Sequence, residues 1–323
     1  MAFSFIKPTR HDVYPFIDPQ DGLKGAADGK TVLITGAGSG IGRRIAQSFA
    51  LAGASKLILG ARRVEKLEET RSIILESTTE CDISIIRLDI ADEVSAKELF
   101  AGLDSPPDVV VSNAAVALAQ ADIAASDPAL VAQEIDINVK GPYLIARYYV
   151  EAVNAAETTG CLIHVSSESS WKFIPNCSTY GFSKIAGNLM IEYLQREEER
   201  GAARVRCVAM HPGGVVTELA GRELPEQIKK LLIDQPALPG GTAVYLSTER
   251  ARFLSGRYVP ATADMEELEK EKGRIVREDL LKTRVVGWFG SLGALVMIIW
   301  TFLSFVSTAL KAHSVAPPRS CTA

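Results

Sequence analysis

Three side chains that can move protons lie close together in the sequence. Tyr180 and Lys184 are four residues apart, and Ser167 lies thirteen residues before Tyr180. Residues four apart share a helix face, so the Lys184 ammonium can lie beside the Tyr180 hydroxyl. That charge would lower a tyrosine pKa that is normally about 10 and allow proton exchange near neutral pH. Because such a pair alone is more often a solvated helix face, the prediction depends on agreement from other segments.

Ser167 supplies a third polar group at the end of a predicted strand. It closes the apolar run 161–167, which is typical of a buried strand that ends in hydroxyl groups. Open α/β sheets present catalytic side chains beyond the carboxyl ends of their strands. We therefore expect the Ser167 hydroxyl to hold a substrate oxygen near Tyr180. The three side chains together predict proton transfer at a carbonyl or an alcohol, and hence an oxidoreductase.

A glycine-rich turn near the start of the chain predicts a dinucleotide site. A short apolar strand at 31–35 leads into the turn 36–42, and a helical pattern of apolar residues follows. Glycine permits positive φ angles and close approach of a pyrophosphate, and the helix N-terminus supplies unpaired N–H groups. The motif follows the spacing T-G-x-x-x-G-x-G and includes Thr35, Gly36, Ser39, Gly40, Ile41 and Gly42.

Alternating strands and helices must position these motifs. Strands are predicted at 31–35, 56–60, 83–88, 109–112, 160–166, 205–210 and near Tyr258, with helical patterns between them. This alternation predicts one α/β catalytic domain with a Rossmann-like, doubly wound parallel sheet. The expected organisation is an N-terminal extension at 1–29, the catalytic domain at 30–262, a charged and solvated helical spacer at 263–284, a hydrophobic helix at 285–310 and a tail at 311–323.

The order and spacing of the motifs resemble the short-chain dehydrogenase/reductase family, and more narrowly the reductases of fungal secondary metabolism. The resemblance extends over residues 30–262 and also includes Asn113-Ala114, Asn138 and the run Pro212-Gly-Gly-Val-Val-Thr217. It implies that Tyr180 is the general acid/base and that Ser167 orients the substrate oxygen. It further implies that Lys184 binds the nicotinamide ribose and lowers the Tyr180 pKa, and that Asn138 positions a water in a proton relay.

The resemblance also implies which residues bind the cofactor. Asp89, at the end of the third strand, matches a position that contacts adenine. The chain departs from the family's N-N-A-G pattern at Ser112 and Ala115, and Ala115 adds a methyl group beside the cofactor. The expected cofactor-binding residues are Thr35, Gly36, Ser39, Gly40, Ile41, Gly42, Arg62, Asp89, Asn113, Tyr180, Lys184, Pro212, Gly213, Val215 and Thr217.

The end of the second strand favours NADP(H) over NAD(H). An acidic residue there would hold the adenosine ribose 2′-OH, whereas a basic residue accommodates a 2′-phosphate. This chain has Ala61 followed by Arg62, whose guanidinium suits a phosphate. The alternative is that Arg62 and Arg63 simply begin a solvated helix. Ser39 supports that alternative, because many NADP-preferring family members carry a basic residue at its position.

Composition gives no sign of nucleic-acid binding, of a metal site or of a signal peptide. The chain has 323 residues, of which 47% are hydrophobic and 23% charged, and its formal net charge is −4. These values are typical of a globular protein and give no indication of nucleic-acid binding. The five cysteines form no C-x-x-C pair and the four histidines are scattered, so we expect reduced cytosolic thiols and no metal site. Residues 1–29 lack an apolar run of signal-peptide length.

The uncharged run at 285–310 predicts a single-pass membrane anchor. It is longer than the roughly 20 residues that a span needs. Most flanking basic residues precede it, so positive-inside reasoning keeps the catalytic domain in the cytosol. The alternative is an apolar helix that covers a dimer interface or a substrate channel, or that lies in the membrane interface. The basic residues are Lys272, Arg274, Arg277, Lys282 and Arg284 before the run, and Lys311 and Arg319 after it.

The favoured function is NADP-dependent interconversion of a lipophilic ketone and a secondary alcohol, with Tyr180 as the acid/base. The apolar residues Trp171, Phe173 and Ile174 and the segment 219–233 favour a small apolar substrate, although both groups could equally be packing. Two alternatives stay open. One is a membrane-tethered, cofactor-binding scaffold or sensor without turnover, and the other is an epimerase or dehydratase on the same fold. The sequence also leaves open whether the chain forms a homo-oligomer.

Overall fold

The computed structural model describes residues 6, 9–78, 80–221, 230 and 232–284. Its centre is a seven-stranded parallel sheet in the order β3-β2-β1-β4-β5-β6-β7. The strand order reverses between β1 and β4, so the predicted Rossmann-like, doubly wound sheet is confirmed. The strands are β1 (Thr31–Thr35), β2 (Lys56–Ala61), β3 (Asp82–Arg87), β4 (Val109–Ser112), β5 (Gly160–Val165), β6 (Val205–His211) and β7 (Tyr258–Pro260).

Helices connect the strands and cover both faces of the sheet. A π-helical turn, Asp136–Lys140, joins α4 directly to α5, and a 3-10 turn, Glu168–Ser170, follows β5. The helices are α1 (Gly40–Leu51), α2 (Val64–Ser77), α3 (Glu93–Ala101), α4 (Pro128–Ile135), α5 (Gly141–Ala155), α6 (Ser178–Arg200), α7 (Glu218–Gly221), α8 (Ala237–Leu246), α9 (Met265–Lys270) and α10 (Lys272–Arg277).

Burial on both faces explains why the strands are continuous apolar runs in the sequence. Successive side chains of a strand point to opposite faces. In β1, Val32 and Ile34 pack into the core that also contains side chains of α1 and α8. Leu33, between them, packs into the core that contains side chains of α3 and α5. One strand thus contributes to two separate hydrophobic cores.

The segments before and after the sheet pack on the α1 and α8 side. Tyr14 and Ile17 are buried there, and the Tyr14 hydroxyl accepts a hydrogen bond from the Met265 N–H at 2.6 Å. Met265, Leu268 and Ile275 are also buried in this core. The prediction that 263–284 is a solvated spacer is therefore corrected: its sparse apolar residues are buried from two short helices, α9 and α10, despite the many charges around them. Residue contacts divide the chain into Met1–Lys282 and Thr283–Ala323.

The predicted membrane-anchored location is also corrected. Across the residues that the structure describes, no helix has both the length and the apolar character needed to cross a membrane. The hydrophobic helix predicted at 285–310 and the tail at 311–323 lie outside those residues. That prediction used length, lack of charge and the flanking basic residues, and a buried helix of a globular protein can share the first two with a membrane span.

Candidate active site

Backbone geometry shapes the turn between β1 and α1. Gly36 and Gly40 have φ angles of 67° and 52°, in the left-handed region that favours glycine. A Cβ at Gly42 would lie 2.3 Å from the Gly36 carbonyl oxygen. Ser39, the N-cap of α1, forms no side-chain cap hydrogen bond. No cap side chain therefore competes for the first N–H groups of the helix, which suits an anion.

Thr35 and Asn113 tie this turn to β4. The Thr35 hydroxyl accepts hydrogen bonds from the N–H groups of Asn113 and Ala114, each at 3.0 Å. The Asn113 side-chain amide in turn donates to the Thr35 carbonyl at 2.9 Å. Thr35 is fully buried, so it supports the turn from behind. Ala115 lines the cleft and is not among the residues with positive φ, so its methyl group requires no strained backbone.

A cleft of about 480 Å³ opens beyond the carboxyl ends of the central strands. Its lining includes apolar and basic residues that sequence analysis did not select, among them Lys66, Leu88, Ile90, Val116 and Ile137. Leu88 and Ile90 flank Asp89, so their position next to a strand end was the available signal. The predicted residues that line the cleft are Gly36, Ser39, Gly40, Ile41, Gly42, Arg62, Asp89, Asn113, Tyr180, Lys184, Pro212 and Thr217.

Three predicted cofactor residues lie outside the lining: Thr35, which supports the turn from behind, and Gly213 and Val215, which shape the loop after β6. Gly213 has a φ of 91°, and Val215 is buried and forms a bridge with Asp234. The Asp234 carboxylate accepts a hydrogen bond from the Gly214 N–H at 2.5 Å and lies 2.6 Å from the His11 ring nitrogen. Asp234 therefore fixes the loop that carries Pro212 and Thr217.

The rim of the cleft at the end of β2 is basic. Arg62, Arg63 and Lys66 all line it. Arg63 pairs with Glu218 at 3.3 Å and Lys66 pairs with Glu69 at 2.7 Å. Arg62 is exposed, and no carboxylate among the described residues forms an ion pair with it.

Tyr180 and Lys184 line another part of the cleft, and Ser167, which is not among the lining residues, contacts Tyr180. The Tyr180 hydroxyl is hydrogen-bonded with Ser167, and the Lys184 Nζ lies 5.4 Å from the centre of the Tyr180 ring. The Lys184 ammonium donates to the Val165 carbonyl at 2.9 Å. The Ser167 hydroxyl also accepts a hydrogen bond from the Ser169 hydroxyl at 3.0 Å. The helix α6 and the end of β5 thus bring together the three side chains that the sequence selected.

Burial has the largest effect on protonation of this pair. It raises the pKa of Tyr180 above its usual value, and the hydrogen bond with Ser167 opposes that rise. It lowers the pKa of Lys184 to about 8. The direction at Tyr180 is opposite to the sequence prediction. The Lys184 ammonium bonds to the Val165 carbonyl, and desolvation of the phenolate has the larger effect.

Asn138 lies fully buried in the π-helical turn. Its side-chain oxygen accepts from the Val116 N–H at 2.9 Å, and its amide donates to the Val116 carbonyl at 2.7 Å. The amide also donates to the Ser183 hydroxyl at 3.2 Å. Asn138 therefore links the loop after β4 to helix α6. Its partner on that helix, Ser183, lies within one turn of Tyr180 and Lys184.

An aromatic cluster whose contacts the sequence did not predict adjoins Ser167. The Tyr258 hydroxyl donates to the Ser167 carbonyl at 3.3 Å and accepts from the Trp171 indole N–H at 3.0 Å. His211 stacks on the Tyr258 ring, with centroids 6.3 Å apart. Burial lowers the pKa of His211 to about 4, so this ring is neutral at physiological pH. The sequence indicated Trp171 as a substrate or packing residue and the strand carrying Tyr258, but not their contact with Ser167, because the pairing of Tyr258 with Ser167 spans 91 residues.

Cysteine and histidine residues provide no metal centre in the described part of the chain. No group of three or more His, Cys, Asp or Glu side chains there could hold a metal ion. Cys81, Cys161 and Cys207 are buried free thiols, and Cys177 is a half-buried one.

Comparisons with known proteins agree on one family. The sequence model of the short chain dehydrogenase family matches residues 30–228 of this chain. The short chain dehydrogenase pigC of Monascus ruber is 34% identical over 286 residues, covering 85% of this chain and 92% of that protein. The short chain dehydrogenase mpl6 of Monascus purpureus is 33% identical over 294 residues, covering 88% and 97%.

A solved structure matches over the same region. A protein assigned as an NAD(P) dependent gluconate 5-dehydrogenase from Beutenbergia cavernae, with NADP bound at low occupancy, is 26% identical. The match has a TM-score of 0.65 and covers 73% of this chain and 96% of that one. The predicted resemblance, including that to fungal secondary-metabolism reductases, is confirmed. The chain belongs to the short-chain dehydrogenase/reductase family.

Proposed function

We propose that this protein is an NADP-dependent oxidoreductase that interconverts a lipophilic ketone and a secondary alcohol. The observation that carries the proposal is that Tyr180 and Lys184, which line a cleft, lie together and that Tyr180 contacts Ser167. The glycine turn and the basic rim with Arg62 line the same cleft. Family membership supports use of a nicotinamide dinucleotide. The related structure with bound NADP supports NADP as that dinucleotide.

The residues present fit such a cofactor. The glycine turn has no room for a side chain at Gly42, and the start of α1 directs N–H groups toward a pyrophosphate. Arg62 would hold a 2′-phosphate through charge-assisted hydrogen bonds, and Asp89 would contact the adenine. Lys184 and Tyr180 would contact the nicotinamide ribose. When bound, the nicotinamide supplies a hydride to the carbonyl carbon in reduction or accepts one from the alcohol in oxidation.

The protein's own groups manage the proton. In reduction, Tyr180 donates its hydroxyl proton to the substrate oxygen as negative charge develops there, while Ser167 donates a hydrogen bond to the same oxygen. The carbonyl thus gains one hydride at carbon and one proton at oxygen. The raised pKa keeps Tyr180 protonated, as a general acid requires. The Lys184 ammonium then stabilises the tyrosinate that remains. Oxidation follows the same steps in reverse.

Apolar side chains next to the catalytic group support a lipophilic substrate. Phe173 is 84% exposed and Trp171 is 47% exposed, although both follow Ser167 closely in the chain. Leu219 lines the cleft. Exposed aromatic residues that follow Ser167 in the chain, together with Leu219 in the cleft, support a substrate that is apolar around its reacting oxygen.

The test is turnover of NADPH, and separately of NADH, with a panel of apolar ketones, monitored by absorbance of the reduced nicotinamide. Tyr180→Phe keeps the ring but removes the proton donor, so turnover should fall by roughly 10²–10⁴-fold while NADPH still binds. Tyr193→Phe is the matched control, because Tyr193 is 68% exposed on the same helix.

Several results would contradict the proposal. Near-normal turnover by Tyr180→Phe would exclude Tyr180 as the acid. NADPH binding without oxidation of the cofactor by any ketone would favour a scaffold or sensor, and substrate conversion without net cofactor oxidation would favour an epimerase or dehydratase. Sedimentation of the same preparation would test whether the chain forms a homo-oligomer.

A further inference from the structure

A buried carboxylate lies next to the catalytic group without a role in the steps above. Glu134, near the end of α4, is only 1% exposed. Glutamate is rarely buried to this extent unless it is paired, because its charge loses hydration. Its retention here therefore points to specific interactions.

Glu134 holds the loop that follows β4. Its Oε2 accepts hydrogen bonds from the N–H groups of Leu118 and Ala119, at 2.6 and 3.0 Å. Asn138, one turn later, holds Val116 in the same loop through two hydrogen bonds. The loop begins with Asn113 and includes the cleft-lining Val116. Glu134 and Asn138 thus fix one wall of the cleft from the same side.

The second oxygen of Glu134 has a different environment. Glu134 Oε1 is buried, and the described residues supply it with no hydrogen-bond partner. Helix α4 packs against α6, which carries Tyr180 and Lys184. The Glu134 carboxylate can therefore act electrostatically on neighbouring groups across this helix contact.

The charged and titratable groups that face the catalytic pair come from three directions. From α4, Glu134 raises the pKa of both Tyr180 and Lys184, in each case more weakly than burial acts. From the start of α6, Cys177 also raises the pKa of Tyr180. From β5, His164 interacts with Lys184, but burial lowers the His164 pKa to about 3, so its ring is neutral. Among these groups, Glu134 supplies the carboxylate, whereas Cys177 is a thiol and His164 is a neutral ring.

We propose that Glu134 is a positioning residue, which fixes the loop after β4 and places a buried negative charge close to Tyr180 and Lys184. The proposal rests on the proposed function for the roles of those two residues. In reduction Tyr180 must carry its proton, and Lys184 must be an ammonium to stabilise the tyrosinate. A nearby negative charge favours the protonated form of both groups.

The decisive variant is Glu134→Gln, which keeps an oxygen acceptor for the loop N–H groups and removes the charge. Reduction should slow as pH rises and the pair loses protons. Without the Glu134 charge both groups lose protons more easily, so the falling limb of kcat should move to lower pH by about 0.5–1 unit. A purely structural role would change kcat or stability but leave the limb in place.

Two variants control for structure and for total charge. Asp136→Asn makes the same charge change two residues later, where the carboxylate is 59% exposed and lies 3.9 Å from Lys140. It should leave the limb in place because solvent screens that charge. Glu134→Asp keeps the buried charge and should stay close to the wild-type profile even if the shorter side chain weakens the loop contacts.

Alkylation of Cys177 tests the charge without any turnover. Burial raises the pKa of the Cys177 thiol, and Glu134 raises it further. Glu134→Gln should therefore shift the pH dependence of Cys177 modification by iodoacetamide to lower pH, as followed by peptide mass spectrometry. This readout judges the Glu134 charge even if no ketone is reduced, in which case the proposed function would fail separately.

The outcomes separate cleanly. A shift of both profiles in Glu134→Gln, with neither shift in Asp136→Asn, supports the proposal. It is overturned if Glu134→Gln moves neither profile, if Asp136→Asn moves them equally, or if Cys177 responds while the kcat limb stays fixed. The last result would mean that the charge acts on Cys177 but not on the catalytic pair.

Discussion

The two ends of the cleft are built in different ways. At the cofactor end, backbone does most of the shaping: Gly36 and Gly40 adopt positive φ, and Gly42 sits against a carbonyl oxygen. At the catalytic end, side chains hold one another, as Tyr258 holds Ser167 and Glu134 holds the neighbouring loop. A turn shaped by backbone tolerates almost no substitution at its glycines. In a network of hydrogen-bonded side chains, a single substitution removes only the interactions of that side chain.

Gly42→Ala should produce the largest effect on the backbone-built end. The new Cβ would lie 2.3 Å from the Gly36 carbonyl oxygen and 2.5 Å from the Asn113 amide nitrogen. Overpacking of ~1–3 kcal/mol would displace the turn and raise the NADPH Kd by about 10- to 100-fold. Fluorescence titration of NADPH measures this. Gly273→Ala is the control, because no heavy atom lies within 4 Å of its added Cβ. Unchanged affinity in Gly42→Ala would mean that the turn is not a close-packed cofactor cradle.

Arg62→Ala should have a smaller and more selective effect. A charge-assisted hydrogen bond to a 2′-phosphate contributes about 1.5 kcal/mol at an exposed site, so the NADPH Kd should rise about tenfold while the NADH Kd stays nearly constant. Arg63→Ala is the matched control, since Arg63 is paired with Glu218. Parallel titrations of the variants with NADPH and with NADH show whether Arg62 binds the 2′-phosphate. Equal weakening for both, or a wild type that prefers NADH, would exclude Arg62 as a phosphate ligand.

Tyr258→Phe should have the smallest effect and tests the side-chain network. It removes the hydroxyl that bonds to the Ser167 carbonyl and the Trp171 indole. The free energy of unfolding should fall by about 1 kcal/mol, and kcat should fall only a few-fold because Ser167 keeps its bond with Ser169. NADPH affinity should not change. Chemical denaturation and steady-state kinetics measure the two effects. A loss as large as that of Tyr180→Phe would show that Tyr258 has a direct catalytic role.

The same division explains what the sequence could predict. The glycine turn is recognisable because its residues are consecutive in the sequence. Tyr180 and Lys184 are recognisable because their spacing of four residues matches one turn of a helix. The strand positions were close to those observed because strands buried on both faces are continuous apolar runs.

What the sequence could not provide depends on contacts between distant segments. Asp234 supports Gly214 across 20 residues, and Glu134 reaches Leu118 through a loop. The direction of the Tyr180 pKa was wrong because helical spacing brings Lys184 near but does not show how far the phenolate is desolvated. For the charged segment 263–284 the sequence predicts solvation, because its four buried apolar residues, Ala263, Met265, Leu268 and Ile275, are few among many charges.

The pairing of the first described segment with the last has a consequence for the order of folding. Arg10 binds Asp264 across 254 residues, and Tyr14 accepts from the Met265 N–H across 251. During synthesis, the segment that is translated first must wait for these late partners before it can dock. A nascent chain arrested before Asp264 would leave Tyr14 without its Met265 partner, even with the motif residues up to Thr217 already translated. Contacts of such sequence separation form late and slow the final step of folding.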